Sequence, residues 1–290
     1  MVKNITVIGA GIMGSGIAYS AAINGFQVIL QDISDNNLAR AQLEIEQTLQ
    51  KSYQQNFITN DQYKNACLHL NYTTSLEEAT KQADLVIEAI TERIDIKIDV
   101  FKKLDILCNP STILATNTSS LSPTEIGAQT TRPDKVIAMH FFNPVHKMKL
   151  VEIIRGLDTS DETVTIIKEV ATQLQKESVE VNEFPGFVTS RMNALIGNEA
   201  MNMLMEGVAS AEDIDKALKL GLNHPMGPFE LGDLVGLDTR LRNLEYLYKT
   251  LGEKYRPSPL LVKYVKAGRL GKKTGYGVYL YKECEQHANT

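Results

Sequence analysis

The chain has 290 residues, of which 43% are hydrophobic and 22% are charged, a composition typical of a globular protein and a length that favours two domains. The formal net charge of -5 argues against nucleic-acid binding, because phosphate recognition draws its affinity from clustered Lys and Arg. No segment approaches the roughly 18 apolar residues of a membrane helix. A predicted strand begins close to Met1 and leaves no room for a signal peptide. We therefore expect a cytoplasmic protein.

The cysteines favour neither a disulfide framework nor a metal site. Cys67, Cys108 and Cys284 are far apart, odd in number and without a CxxC pair. A basic run over residues 263–273 is either a solvated surface or a contact to an anionic cofactor. Residues 283–290 are typical of a polar tail without function.

Short β-branched runs alternate with longer helical patterns in the first half of the chain. The predicted strands are residues 5–8, 28–30, 84–88 and 112–116, and the helices between them are residues 12–24, 35–57 and 92–107. A turn is expected at Ser122-Pro123. Alternating strands and helices predict an α/β fold with a doubly wound parallel sheet.

Two further predicted strands, residues 135–141 and 149–155, are separated by a segment too short for a helical crossover, so we expect them to pair antiparallel. The sheet is therefore mostly parallel. The break at Pro185-Gly186 follows a last predicted strand at residues 179–182. Everything after it indicates helix, at residues 187–206, 211–220, 228–251 and 259–267. The expected domains are thus residues 1–184, a Rossmann-type nucleotide-binding domain, and residues 185–290, a small all-helical domain.

The motif Gly9-Ala10-Gly11-Ile12-Met13-Gly14 is a GxGxxG sequence placed between the first predicted strand and helix, which is the context of a dinucleotide site. Gly9 permits the tight turn, Gly11 lets the backbone approach a pyrophosphate, and Gly14 allows the helix to pack closely on the sheet. The helix N-terminus offers free N–H groups and a positive dipole to the phosphates.

Asp32 closes the second predicted strand, where a carboxylate accepts hydrogen bonds from the ribose hydroxyls of an adenosine and repels a 2′-phosphate. The next basic residue is Arg40, so the pattern favours NAD over NADP. The alternative for Asp32 alone is a helix N-cap or a turn.

His140 is the candidate general base. It ends one predicted strand, and the antiparallel return brings Glu152 beside it, where a carboxylate fixes the imidazole tautomer and stabilises the imidazolium. The alternative is a structural His–Glu hydrogen bond in a sheet. Asn117-Thr118-Ser119-Ser120 follows a strand at the carboxyl edge of the same sheet, where these side chains either bind a substrate oxygen or cap a helix.

With these residues the sequence resembles the short-chain L-3-hydroxyacyl-CoA dehydrogenases, most closely their bacterial 3-hydroxybutyryl-CoA dehydrogenase branch. The similarity runs over nearly the whole chain. It is carried by the segments VIGAGIMGSGIA, ADLVIEAITE, ATNTSSLSPTEI, HFFNPVHKMKLVEII, PGFVTSR, GLNHPMGPFELGDLVGLD and GRLGKKTGYGVY.

The resemblance implies roles for individual residues. His140 matches the family's general base, Glu152 its acidic partner, and Ser119 the serine that binds the substrate's oxygen beside the cofactor. Further positions match residues that contact NAD, namely Glu92, Lys97, Asn143 and Lys273. The family has an asparagine in GFVxNR that helps to hold the substrate's oxygen; this chain has Ser190 there, which is shorter and lacks the amide.

The implied reaction is the reversible oxidation of a (3S)-3-hydroxyacyl-CoA to a 3-oxoacyl-CoA with NAD, in fatty-acid or butanoate metabolism. The resemblance also implies that the helical domain closes over the substrate and forms a homodimer. Two alternatives remain open. One is a dehydrogenase of free hydroxy acids or sugar acids, similar to gulonate dehydrogenases; the other is a non-catalytic NAD-binding sensor or structural protein, as some lens proteins are.

Overall fold

The computed structural model describes residues 2–281. Cys284 and the expected polar tail at residues 283–290 lie outside the described residues. The chain divides between Phe184 and Pro185 into two compact units.

The N-terminal unit is built on one sheet with the strand order β3-β2-β1-β4-β5-β6-β7-β8. Its strands are β1 (Asn4–Ile8), β2 (Gln27–Gln31), β3 (Leu70–Thr73), β4 (Leu85–Glu88), β5 (Ile113–Thr116), β6 (Val136–Phe141), β7 (Leu150–Arg155) and β8 (Glu177–Asn182). Strands β1 to β6 are mutually parallel, β7 runs antiparallel to β6, and β8 runs parallel to β7. This mostly parallel, doubly wound sheet confirms the predicted fold class.

Helices cover both faces of the sheet. They are α1 (Ile12–Ile23), α2 (Asp35–Gln54), α3 (Asn60–His69), α4 (Leu76–Thr80), α5 (Ile94–Leu107), α6 (Pro123–Gly127) and α7 (Asp161–Gln173). Because side chains alternate along a strand, Ile87 packs into a core shared with α1, α2 and α7, whereas Val86 packs with Phe101 and Leu104 of α5. Neither face of the central strands is open to water, as their continuous apolar runs require.

The predicted hairpin partners pair as expected. Strands β6 and β7 are antiparallel, and the register sets His140 directly opposite Glu152. The turn expected at Ser122-Pro123 is instead the start of the short helix α6, because the Ser122 side chain accepts a hydrogen bond from the Glu125 N–H and caps the helix. The elements α3, β3, α4 and α7 have no counterpart among the predicted ones.

The C-terminal unit is helical. Its helices are α8 (Thr189–Met205), α9 (Ala211–Gly221), α10 (Pro228–Val235), α11 (Leu237–Leu251) and α12 (Pro259–Lys266). The prediction of one helix over residues 228–251 is wrong, because Gly236 adopts φ +104° and ends α10 where α11 begins. Helix α8 starts two residues later than predicted, after Phe187 at φ 50°.

None of the helices within residues 2–281 combines the length and apolarity that crossing a membrane requires.

Candidate active site

The turn between β1 and α1 has the geometry of a phosphate-binding loop. Gly9 adopts φ +100°, and a Cβ there would lie 2.7 Å from the Ala89 carbonyl oxygen. A Cβ on Gly14 would lie 1.7 Å from the Gly9 carbonyl oxygen, whereas one on Gly11 would meet no atom within 4 Å. The protein's own packing therefore requires glycine at positions 9 and 14, whereas unfilled space surrounds Gly11.

The start of α1 suits an anion. Gly11 is the N-cap and supplies no side-chain acceptor to the first N–H groups, and the first turn, which lies wholly within the described residues, has no acidic side chain. The free N–H groups and the helix dipole therefore favour a negatively charged group. The geometry of this turn suits a pyrophosphate, with the backbone of Ala10, Ile12 and Met13 between the three glycines.

Asp32 directly follows β2 and links the phosphate-binding loop to α2. Its Oδ2 accepts a hydrogen bond from the Ala10 N–H at 2.8 Å, and its Oδ1 accepts from the Ser34 N–H at 3.0 Å and from Asn37 Nδ2 at 3.1 Å. The N-cap of α2 is Ser34, so Asp32 does not cap the helix. Its side chain instead forms a turn by accepting the N–H of Ser34, two residues further along the chain. This position fits a carboxylate that faces the adenosine ribose.

His140 and Glu152 form a close pair across β6 and β7. Nδ1 of His140 lies 2.7 Å from Oε2 of Glu152, and the two residues are 8% and 0% exposed. A carboxylate at Nδ1 favours the tautomer with the proton on Nδ1 and leaves Nε2 to act as an acceptor. The ring of Phe142 packs against the imidazole at a centroid distance of 4.5 Å and restricts its rotation.

The polar cluster after β5 is held by Glu92 rather than used as a helix cap. Glu92 Oε1 accepts hydrogen bonds from Thr118 Oγ1 at 2.5 Å and from the Ser119 N–H at 2.9 Å. Asn117 Oδ1 accepts from the Phe141 N–H at 3.1 Å, which ties the end of β5 to the end of β6. Since the cap of α6 is Ser122, the alternative of a helix N-cap is wrong for Asn117 to Ser120.

Lys97 is wholly buried. Its ammonium nitrogen lies 2.7 Å from Glu88 Oε1 and 3.4 Å from Glu92 Oε2. Burial raises the pKa of Glu88, and the charge of Lys97 acts in the opposite direction. Sequence reasoning assigned nothing to Glu88, although a charged residue in the apolar segment ADLVIEAITE is a signal that could have identified it.

Asn143 lies on the exposed loop after β6. The same loop packs on α1, since a Cβ on Gly16 would lie 2.9 Å from Val145 Cγ2. The buried Lys176 also holds this loop, through hydrogen bonds from its ammonium to the carbonyl oxygens of Val145 and Met148. Residues 142–148 are therefore fixed against the helix that begins at the phosphate-binding loop.

Two of the predicted site residues lie in the C-terminal unit. Ser190 is in the first turn of α8. Lys273 follows α12, and its ammonium lies 2.6 Å from Asp238 Oδ1 in α11. That ion pair holds the pKa of Asp238 below its ordinary value, against the opposing effect of partial burial. Within residues 2–281 no group of three His, Cys, Asp or Glu side chains suits a metal ion.

Comparison with known proteins assigns both units. Residues 4–184 match the family model "3-hydroxyacyl-CoA dehydrogenase, NAD binding domain", and residues 186–281 match the model "3-hydroxyacyl-CoA dehydrogenase, C-terminal domain". The two models together span almost all of the described residues.

Individual relatives are similar over nearly their full length. The chain is 50% identical to a protein of Bacillus subtilis named as a probable 3-hydroxybutyryl-CoA dehydrogenase, over 97% of this chain and 98% of that protein. It is 46% identical to a 3-hydroxybutyryl-CoA dehydrogenase of Clostridioides difficile, over 96% and 99% of the two chains. The crystal structure of the (S)-3-hydroxybutyryl-CoA dehydrogenase PaaH1 from Ralstonia eutropha superposes with a TM-score of 0.94 at 42% identity and covers 98% of this chain and 100% of that chain.

Proposed function

The chain belongs to the 3-hydroxyacyl-CoA dehydrogenase family, and we propose that it interconverts (3S)-3-hydroxybutyryl-CoA and acetoacetyl-CoA with NAD as the redox cofactor. The names of the similar proteins support an acyl-CoA substrate of this kind. The observation in the chain that carries the proposal is the His140–Glu152 pair at the carboxyl edge of a doubly wound sheet, the edge where such sheets bind ligands.

The site residues have separate roles in alcohol oxidation. Bound NAD supplies the acceptor for the hydride that leaves C3 of the substrate. His140 Nε2 takes the proton of the substrate hydroxyl, while Glu152 holds the Nδ1–H and stabilises the imidazolium that forms. Ser119 donates a hydrogen bond to the same substrate oxygen. In the direction of reduction the imidazolium returns the proton.

The cofactor is held by the N-terminal unit, which matches an NAD-binding domain. The backbone from Gly9 to Gly14 faces the pyrophosphate, and Asp32 accepts from the adenosine ribose. Glu92, Ser119 and Asn143 lie after neighbouring strands and serve the nicotinamide half. Lys97, which is wholly buried, serves it through its contact with Glu92. A carboxylate at Asp32 repels a 2′-phosphate, which supports NAD rather than NADP.

Roles on the C-terminal unit form a further part of the proposal. Lys273 contacts the same dinucleotide, and Ser190 takes the place of the family's asparagine at the substrate's oxygen. The unit exposes apolar side chains, among them Val188, Met192 and Leu234, at 51%, 55% and 52%. We propose that they contribute to a homodimer, which light scattering on the purified protein tests directly.

The first experiment follows NADH oxidation with acetoacetyl-CoA, beside free acetoacetate and beside NADPH. Turnover of the thioester with NADH alone supports the substrate class and the role of Asp32 together. Turnover of free acetoacetate without the thioester moves the assignment to a dehydrogenase of hydroxy acids. Absence of turnover with both, while NADH still binds, supports a sensor. The expected place of the activity is acyl-CoA breakdown or butanoate metabolism.

A further inference from the structure

Glu88, at the end of β4, is a wholly buried carboxylate with four hydrogen bonds. Its Oε1 accepts from the Ile90 N–H and from Lys97 Nζ, each at 2.7 Å. Its Oε2 accepts from Thr116 Oγ1 at 2.6 Å and from Lys97 Nζ at 2.9 Å. One side chain therefore joins the end of β4 to the loop that follows it, to the end of β5 and to helix α5.

The loop after β4 leads from Glu88 to the phosphate-binding turn. A Cβ on Gly9 would lie 2.7 Å from the Ala89 carbonyl oxygen and 3.1 Å from Ile90 Cγ2, so this loop packs directly against the first glycine of the motif. The Ile90 N–H is the group that Glu88 holds. The backbone of Ile90 is thus bound by Glu88, and its side chain lies beside Gly9.

The ammonium of Lys97 leads from Glu88 to the substrate side. It lies 3.4 Å from Glu92 Oε2, and the other oxygen of Glu92 accepts from the Ser119 N–H at 2.9 Å. Lys97 Nζ also donates to the Asn117 carbonyl oxygen at 3.4 Å. The hydroxyl of Ser119 therefore takes its position from a chain of contacts that begins at Glu88.

A buried ion pair is a poor choice if the only need is to hold strands together. Removing two charges from water carries a desolvation penalty, and apolar side chains of similar volume often give equal or greater stability. A fully hydrogen-bonded pair has one advantage, since its partners are satisfied only in one arrangement of the surrounding backbone. Glu88 and Lys97 fulfil that condition, because both are 0% exposed and both contact the backbone of loops at the site.

We propose that Glu88, acting through Lys97, is a positioning residue that fixes Ser119 and the phosphate-binding loop in the arrangement that turnover requires. Glu88 touches neither substrate nor cofactor in this role. The part that concerns Ser119 rests on the proposed function, because there Ser119 binds the reacting oxygen. The part that concerns the order of the backbone is independent of the proposed function.

The test compares three variants of the full chain. Glu88→Gln keeps the shape of the side chain and removes its charge. The double variant Glu88→Gln/Lys97→Met also removes the buried ammonium, which prevents an uncompensated charge from unfolding the protein. Asp84→Asn is the matched control: Asp84 precedes the other end of β4, and its Oδ2 accepts from the N–H groups of Lys3 and Asn4 at 2.9 Å.

The expected result is a fall in kcat for acetoacetyl-CoA reduction of about 10- to 100-fold in both Glu88 variants, since misplacement of reacting groups by about 1 Å costs that much. The KM for acetoacetyl-CoA should change by less than about threefold, because an alignment that matters only in the transition state affects kcat and not KM. Hydrogen exchange at the Ile90 and Ser119 N–H groups should accelerate, and NADH should bind more weakly in a fluorescence titration. Asp84→Asn should alter the melting temperature without these effects.

Two results overturn the proposal. One is a folded double variant with wild-type kcat and wild-type hydrogen exchange at Ser119, which would show that Glu88 and Lys97 only pack in the core. The other is an equal loss of kcat in Asp84→Asn, which makes the effect a general loss of stability. If the wild-type protein does not reduce acetoacetyl-CoA, the proposed function fails; the exchange rates, measured without substrate, still decide whether Glu88 orders the two loops.

Discussion

Replacing Glu152 by glutamine tests the proposed chemistry most directly. The amide occupies the same volume and can still accept a hydrogen bond from Nδ1 of His140, so the imidazole keeps its place. What disappears is the negative charge, 2.7 Å from Nδ1 and 0% exposed to water. The substitution therefore removes the charge that stabilises the imidazolium when it forms, and it leaves the packing of β6 against β7 unchanged.

The size of the effect follows from this burial. A hydrogen bond to a charged group contributes about 1.5–3 kcal/mol, and this one strengthens when the imidazole becomes an imidazolium. Loss of about 3 kcal/mol from the transition state lowers the rate by roughly 10²-fold, since each 1.36 kcal/mol is tenfold. Glu152→Gln should therefore reduce kcat about 10²-fold, with little change in NADH affinity.

The assay is steady-state reduction of acetoacetyl-CoA, with NADH binding measured separately by fluorescence. His140→Gln should lower kcat by about 10²-fold or more, and the double variant should be no slower than His140→Gln alone, because the two residues act as one unit. Glu180→Gln is the control, since Glu180 lies on the adjacent β8 and is paired with Lys168 near the surface. A Glu152→Gln enzyme within threefold of wild-type kcat would refute the proposed role of the carboxylate.

Three further predictions concern the surroundings of the site. Gly11→Ala should fold normally yet lose NADH affinity, because its Cβ meets no protein atom within 4 Å. Gly14→Ala should lower the free energy of unfolding by at least about 1–3 kcal/mol, because its Cβ meets the Gly9 carbonyl oxygen. Melting curves and NADH titrations distinguish the two variants. Burial raises the pKa of Cys108 to about 11, above its ordinary value of 9.0, so the neutral thiol's contribution to stability is complete below pH 9 and is lost as pH rises through 11. The difference in unfolding free energy between wild type and Cys108→Ala should therefore shrink by about 3 kcal/mol over that interval, and a constant difference refutes it. Lys176→Met leaves the carbonyl oxygens of Val145 and Met148 without their donor, so hydrogen exchange should accelerate in residues 142–148 and the KM for NADH should rise. Unchanged exchange contradicts the role of Lys176 in holding this loop.

The parts of the fold that the sequence predicts well are those whose pattern is local. The central strands are continuous apolar runs because both faces are buried, and the glycine motif is recognised by its place between strand and helix. The pairing of His140 with Glu152 was also predictable, since the segment between their strands is too short for a crossover. The roles of these residues in catalysis remain predictions.

Some of the elements that were not predicted have a weak local pattern, whereas α7 has a clear one. Strand β3 has four residues, none of them fully buried, so it shows neither an apolar run nor a clear alternation. Helix α7 did carry a signal, with Ser160 as its cap and Val164, Ile167 and Ala171 at helical spacing. The break at Gly236 depends on a positive φ, which a glycine permits but does not require.

Part of the site is assembled from the ends of three neighbouring strands, and this explains why sequence reasoning missed Glu88 and the contacts around it. Strands β4, β5 and β6 lie side by side, so Glu88, Asn117 and His140 arrive at one edge about 5 Å apart from strand to strand. Asn117 and His140 are recognisable in their own segments, whereas Glu88 was not assigned a role from the sequence. The contacts that fix their relative positions join atoms at least nine residues apart in sequence, as between Glu88 and Lys97, and depend on which side chains become wholly enclosed. Burial of that kind is a property of the packed sheet, and it is there that this chain places an ion pair, at a kind of position where apolar side chains often give equal stability.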